Sequence, residues 1–144
     1  MNMETDKKGS KVATISAVLA VLVIIFFGWS LYRSFTNTPD RTVQAYINDL
    51  AANDMHAVEG RSSDVLKKDE KSIIWRYEAM LKGYNDTPQL VGKEEITDRF
   101  NTYPKNSQPL KLTYKVTING KDHLLSFLVF KQGKVWKVDD ITGS

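Results

Sequence analysis

The stretch from Val12 to Tyr32 constrains this chain more than any other. It carries no charged residue, and only Thr14, Ser16 and Ser30 punctuate its aliphatic and aromatic run. At about 1.5 Å per residue, a helix of this length crosses a hydrocarbon core of about 30 Å. Lys7, Lys8 and Lys11 precede it and Arg33 follows it, while Trp29 and Tyr32 stand where an interfacial aromatic belt lies. A cleavable leader has a shorter apolar run, about 7–15 residues, and a small-x-small cleavage site. Phe-Phe-Gly-Trp-Ser-Leu-Tyr-Arg supplies no such site. A buried core helix is expected to carry more polar punctuation. The sequence therefore predicts a cytoplasmic tail over 1–11, a transmembrane helix over 12–32, a linker over 33–38 and an extracytoplasmic domain over 39–144. The orientation follows from three lysines before the span against Arg33 and Arg41 after it.

The segment beyond the linker is long enough for one core and too short for two. The chain has no cysteine, which excludes disulfides, thiolate chemistry, Cys-based zinc sites and anchoring through a lipidated cysteine. An extracytoplasmic domain without cysteine is held by packing alone, a habit that points to a bacterial plasma membrane. The net charge of +3 is dispersed, with no run of five or six basic residues. A nucleic-acid partner is not expected, because the basic stripe that would attract phosphates is missing from the sequence.

Thr38-Pro39-Asp40 reads as a helix start: a capping hydroxyl, a proline suited to the first turn and a carboxylate at the positive end of the dipole. Val43, Tyr46, Ile47, Leu50 and Ala51 follow at helical spacing, and the helix is expected to end near Asn53. Met55, Ala57 and Val58 permit a short second helix broken near Gly60, with Arg61 to Asp64 as a turn. Lys68-Asp69-Glu70 open a further helix, whose Ile73, Tyr77, Met80, Leu81 and Tyr84 share one face. Trp75 lies off that face. Gly83 and Asn85-Asp86-Thr87-Pro88 end the helix. Ile96 and Phe100 fit either a helical turn or one face of a strand, so part of 89–103 is read as strand and Asn101 to Pro109 as loop.

In Leu110 to Ile118 apolar side chains occupy every second position, alternating with Lys111, Thr113, Lys115 and Thr117. This is the period of a half-buried strand. Asn119-Gly120 is the pair preferred in tight hairpins, because both positions need positive φ. His123 to Phe130 is apolar on both faces and reads as a central strand. Gln132-Gly133 makes a second turn, and Val135 to Ile141 a third strand. The fold class is α+β: two or three helices packed on a curved antiparallel sheet.

Helices first, then a meander closing on Gly133-Lys134-Val135-Trp136-Lys137-Val138-Asp139-Asp140-Ile141, resemble the nuclear transport factor 2-like, or cystatin-like, α+β superfamily. The opening Thr42-Val43-Gln44-Ala45-Tyr46 with Asp54 resembles that group's first helix. The resemblance covers roughly residues 39–142. It implies a sheet of four or more strands, so that 89–103 must supply the strand not plain in the sequence. It also implies a cone between helices and sheet, lined here by Tyr46, Tyr77, Leu81, Tyr84, Leu112, Tyr114 and Val116, which these residues either fill or leave open to a small apolar ligand. The fold hosts many functions, so the resemblance does not imply catalysis.

The residues for chemistry are few. His56 and His123 are the only histidines, and no His-x-x-x-His or Glu-x-x-His spacing exists. Asp139 and Asp140 are adjacent at a strand end, where alternation points them to opposite faces; they read as strand termination, not as an acid–base dyad. Nucleophile elbow, phosphate loop and dinucleotide fingerprint are all missing. No catalytic residue, metal or cofactor is therefore expected. The layout resembles small assembly components of bacterial conjugation and type IV secretion machines. The leading expectation is a non-enzymatic interaction or scaffold module of the cell envelope, with a protein partner there, and Trp75 and His123 as candidate partner contacts. The alternatives are a small-apolar-ligand domain, an immunity or exclusion protein that blocks a partner at the membrane, and, last, an enzyme using Asp98 or His123 beside a buried tyrosine.

Overall fold

The computed structural model describes residues 3–97 and 103–143. The chain divides into two units, 1–36 and 37–144. The first is one helix, α1 (Met3–Thr36). Its window Lys11–Trp29 is long and apolar enough to cross a membrane, and none of it is buried.

The second unit is α+β. Among the described residues it contains four helices and then four strands. Helix α2 (Pro39–Ala51) starts as expected: the Thr38 hydroxyl accepts from the Arg41 amide and Pro39 occupies the first turn. Val43, Tyr46, Ile47 and Leu50 form its buried stripe, each worth roughly 1.5–3 kcal/mol on burial. Asn53 takes φ 55° and turns the chain. Helix α3 (Met55–Arg61) is capped by Asp54 and ends one residue past Gly60, near where the break was expected.

Two expectations need correction here. Residues 61–64 are not merely a turn, because Ser63 caps another helix, α4 (Asp64–Lys68), by accepting from the Leu66 amide. Lys68 closes α4, so the next helix, α5 (Lys71–Leu81), begins three residues later than read, and the domain has four helices instead of two or three. The α5 face that goes inward is Ile74, Tyr77 and Leu81, with Ile73, Met80 and Tyr84 only partly buried beside it. Gly83, at φ 77°, ends the segment.

The sheet is an open antiparallel meander in the order β1-β2-β3-β4. Strand β1 (Gln89–Glu95) lies within the segment expected to supply an extra strand. Phe100 and Asp98 fall outside the described residues. In β2 (Leu110–Ile118), Leu112, Tyr114 and Val116 are buried, as the alternation requires. Asn119 and Gly120 both take positive φ, 52° and 76°, and return the chain into β3 (Lys121–Gln132). Strand β3 lies between β2 and β4 (Val135–Gly143), so it is central, though Leu124 on its outer face is exposed. Strand β4 continues past Asp139 and Asp140, which are therefore inside the strand and not its end.

The helices cover one face, and α2 and α5 meet the sheet over a single apolar cluster. The two sheet edges differ. Beside β4, Ser62 makes a parallel bridge to Val138, and the Ser63 amide donates to the Val138 carbonyl at 2.7 Å. Beside β1 no further strand pairs among the described residues. That strand is exposed along its length except at Gly92, and it carries Lys93, Glu94 and Glu95, charges that discourage edge-to-edge association.

Candidate functional site

The residues expected to line a cone lie in or against the core. Tyr46, Leu81, Leu112, Tyr114 and Val116 are fully buried, Tyr77 nearly so, and Tyr84 packs partly buried at the margin. Phe127 from β3 stands between two of the tyrosines, edge to face with Tyr46 at 6.3 Å and with Tyr114 at 6.2 Å. Such pairs add about 0.5–1.5 kcal/mol beyond their burial.

The tyrosine hydroxyls are committed within the fold. Ser62 Oγ donates to the Val58 carbonyl at 2.7 Å, which leaves it to accept from the Tyr46 hydroxyl at 2.9 Å. The Tyr114 hydroxyl donates to the Asp40 carbonyl at 3.2 Å, and the Tyr77 hydroxyl to the Gly143 carbonyl at 3.5 Å. Burial pushes Tyr46 up to about 12, moderated by the Ser62 bond. Burial, then the Asp40 carboxylate, pushes Tyr114 up to about 12. Burial likewise raises Tyr77 and Tyr84. These are neutral phenols at ordinary pH. They act as donors and packing groups, not as bases.

The two histidines lie on different elements, and His56 shares a surface depression with Glu59. His123 is half-buried on β3 opposite Val116, and His56 is exposed on α3. Among the described residues no three His, Asp or Glu side chains converge as metal ligands.

Two shallow depressions mark the surface. One, about 410 Å³, is lined by His56, Glu59, Gly60, Lys67, Lys68 and Lys71. The other, about 500 Å³, lies between the end of α5 and the β2–β3 hairpin and includes Met80, Tyr84, Asp86 and Asn119. Trp75 stands apart from the apolar face of α5, 57% exposed.

The outer sheet face holds a cluster that sequence reasoning missed. Tyr103 tilts over Phe130 at 5.4 Å, and its hydroxyl donates to Asp139 Oδ2 at 2.9 Å. A bulge at Leu128/Val129 breaks the alternation of β4, so Asp140 pairs with Leu128, Val138 with Val129, and Asp139 is the extra residue. Burial and then the Asp139 and Asp140 charges raise the Tyr103 pKa. The rule that adjacent strand residues face apart thus fails at this pair. The only signal in the sequence was the two carboxylates themselves.

No family model matches the chain, and no curated protein or solved structure matches it either.

Proposed function

We propose that this protein is a membrane-anchored, non-enzymatic interaction module of the bacterial cell envelope, its N-terminus cytoplasmic and its α+β domain outside. The observation that carries the reading is α1: an apolar helix of membrane-crossing length whose side chains find no cover in the protein. Lipid is the solvent that such a surface suits. The helices-then-meander order supports a place in the nuclear transport factor 2-like superfamily. An assembly component and an immunity or exclusion protein share this layout.

A binding role is favoured over catalysis by the packing. The aromatic side chains that would line a substrate cone meet one another through Phe127, and their hydroxyls are engaged. The same packing disfavours an internal apolar ligand. Trp75 is the side chain best suited to anchor a partner, since exposed Trp on a rigid helix is over-represented among residues that dominate interface energy.

Two measurements test the reading. Val21→Arg or Leu22→Arg places a charge mid-bilayer at a cost of about 2.5–3.5 kcal/mol on insertion scales. The variant is expected to leave the membrane fraction or fail export, and full membrane retention at alkaline carbonate wash would refute the anchor. Co-purification from mild detergent, with and without Trp75→Ala, tests the partner face. An unchanged set of co-purifying proteins would refute Trp75 as the contact.

A further inference from the structure

The two edges of the sheet are finished differently. The β4 edge is closed by the chain itself, through the Ser62–Val138 bridge and the Ser63 amide. On the free side of β1 no strand pairs among the described residues, and Lys93, Glu94 and Glu95 are exposed. The Ile96 amide donates to the Pro109 carbonyl at 3.0 Å, so Ile96 directs its backbone groups towards β2. In an antiparallel ladder this direction alternates from residue to residue. Glu94 and Gly92 therefore also bond towards β2, while the amides and carbonyls of Lys93 and Glu95 point outward. The irregularity at Leu90/Gly92 bounds the regular edge on one side, and the Ile96 bond bounds it on the other. The regular run is thus Gly92 to Ile96, and its midpoint is Glu94.

Outward-pointing residues of one antiparallel strand can pair only with outward-pointing residues of the next. A second β1 related by a two-fold axis must then be centred on a residue, not between two. Centring on Lys93 would oppose lysine to lysine, and centring on Glu95 would oppose glutamate to glutamate. Centring on Glu94 sets Lys93 against the second copy's Glu95, and Glu95 against its Lys93, so the favourable pair forms twice. Both side chains share the helix-covered face, across from Leu112 and Leu110 of β2. The present partner of Lys93, Asp40, is loose, at 3.9 Å between exposed side chains. Gly92 falls opposite Ile96 and leaves room for it. The axis brings Glu94 beside its own copy on the other face, the one like-charge contact, and each Glu94 has Lys111 of β2 as its cross-strand neighbour. Charges on an edge guard against pairing in an arbitrary register. In this order they favour one.

We propose that β1 is a self-association edge: two copies of this chain pair their β1 strands antiparallel about Glu94 and join their four-stranded sheets into one continuous sheet. A second copy is the occupant because the edge is complementary to itself, with a cation at 93 and an anion at 95 placed symmetrically about its midpoint. The backbone amides and carbonyls of Lys93 and Glu95, left without a strand in the single chain, bond to those of Glu95 and Lys93 in the second copy. The contact is isologous, so it closes at two copies and leaves no free β1 edge to extend a fibre. The inference draws on the α+β domain alone and is independent of what α1 does. A dimer presents each remaining face of the domain twice, which raises its avidity for a partner that is itself repeated.

The test is disulfide trapping of the full chain in mild detergent, since the protein has no cysteine of its own. At the axis, Glu94→Cys meets its symmetry mate across a non-hydrogen-bonded pair, with Cα atoms about 4.5 Å apart and within reach of a disulfide. Lys93→Cys and Glu95→Cys each lie two residues out of register with their own mates, about 8–9 Å away and beyond reach. Gentle oxidation should therefore trap a dimer at 94 and little at 93 or 95. Sedimentation in the same detergent reads the contact without any cysteine. Lys93→Glu opposes glutamate to glutamate twice and should weaken dimerisation about tenfold. Adding Glu95→Lys to that variant restores both pairs in reversed order and should restore the dimer. Glu94→Gln removes the like-charge contact and should tighten the dimer about threefold. No trapping at 94, equal trapping at all three positions, or a dimer indifferent to Lys93→Glu overturns the proposal. So does a charge-swapped double variant that dimerises no better than Lys93→Glu alone.

Discussion

Replacing Ser62 by alanine tests the direction of the buried hydrogen bonds. Ser62 is 1% exposed, donates to the Val58 carbonyl and accepts from the Tyr46 hydroxyl. Ser62→Ala removes both bonds and strands two buried groups, the Val58 carbonyl and the Tyr46 hydroxyl. An unsatisfied buried polar group costs about 1–3 kcal/mol, so the change should cost about 2–4 kcal/mol. Tyr46→Phe removes only a donor. Ser62 keeps its bond to Val58, and the ring keeps its edge-to-face contact with Phe127, so the loss should be about 0.5–1.5 kcal/mol. In the double variant only the Val58 carbonyl is stranded, and the cost should fall below the sum of the two single changes. The assay is thermal unfolding of the full chain in mild detergent, followed through Trp136 fluorescence, since that indole is buried. At about 4–8 °C per kcal/mol for a domain of this size, Ser62→Ala should lower Tm by at least 8 °C and Tyr46→Phe by considerably less. If Tyr46→Phe proved the more damaging, or the double variant were additive, the inferred direction of donation would be wrong.

Three further outcomes follow from the packing. Tyr46 and Tyr114 have folded-state pKa values of about 12, above their unfolded value of 10.0; their contribution is full below pH 10 and is lost as pH rises towards 12, so unfolding should coincide with phenolate absorbance in that window and shift upward in Tyr46→Phe. Tyr114→Asp or Val116→Asp should unfold the domain, because each buries an unpaired carboxylate, whereas Lys115→Asp on the outer face should change stability by under about 1 kcal/mol in a denaturant titration. Gly143→Ala would set its Cβ 2.3 Å from the Leu124 carbonyl oxygen and should lower Tm, while Gly60→Ala meets nothing within 4 Å inside α3 and should raise stability by about 0.5–1 kcal/mol, as calorimetry would report.

The features that the sequence determined by itself are those whose causes are local. The uncharged span of α1, the Thr38-Pro39 cap, the stripe of α2, the alternation of β2 and the Asn119-Gly120 hairpin each depend on residues within a turn or two of one another. Strand β1 left almost no pattern because an exposed edge strand has no buried face to mark. Helix α4 was hidden because five residues are too few to show a period. It is held partly by the Ser63 amide reaching the Val138 carbonyl, a bond between residues far apart in the chain. The Tyr103–Phe130–Asp139 cluster was illegible for the same reason: strand pairing and one bulge bring its members together from distant parts of the chain. Local chemistry dictates which elements form. Which surfaces they jointly create is decided only when packing chooses their neighbours.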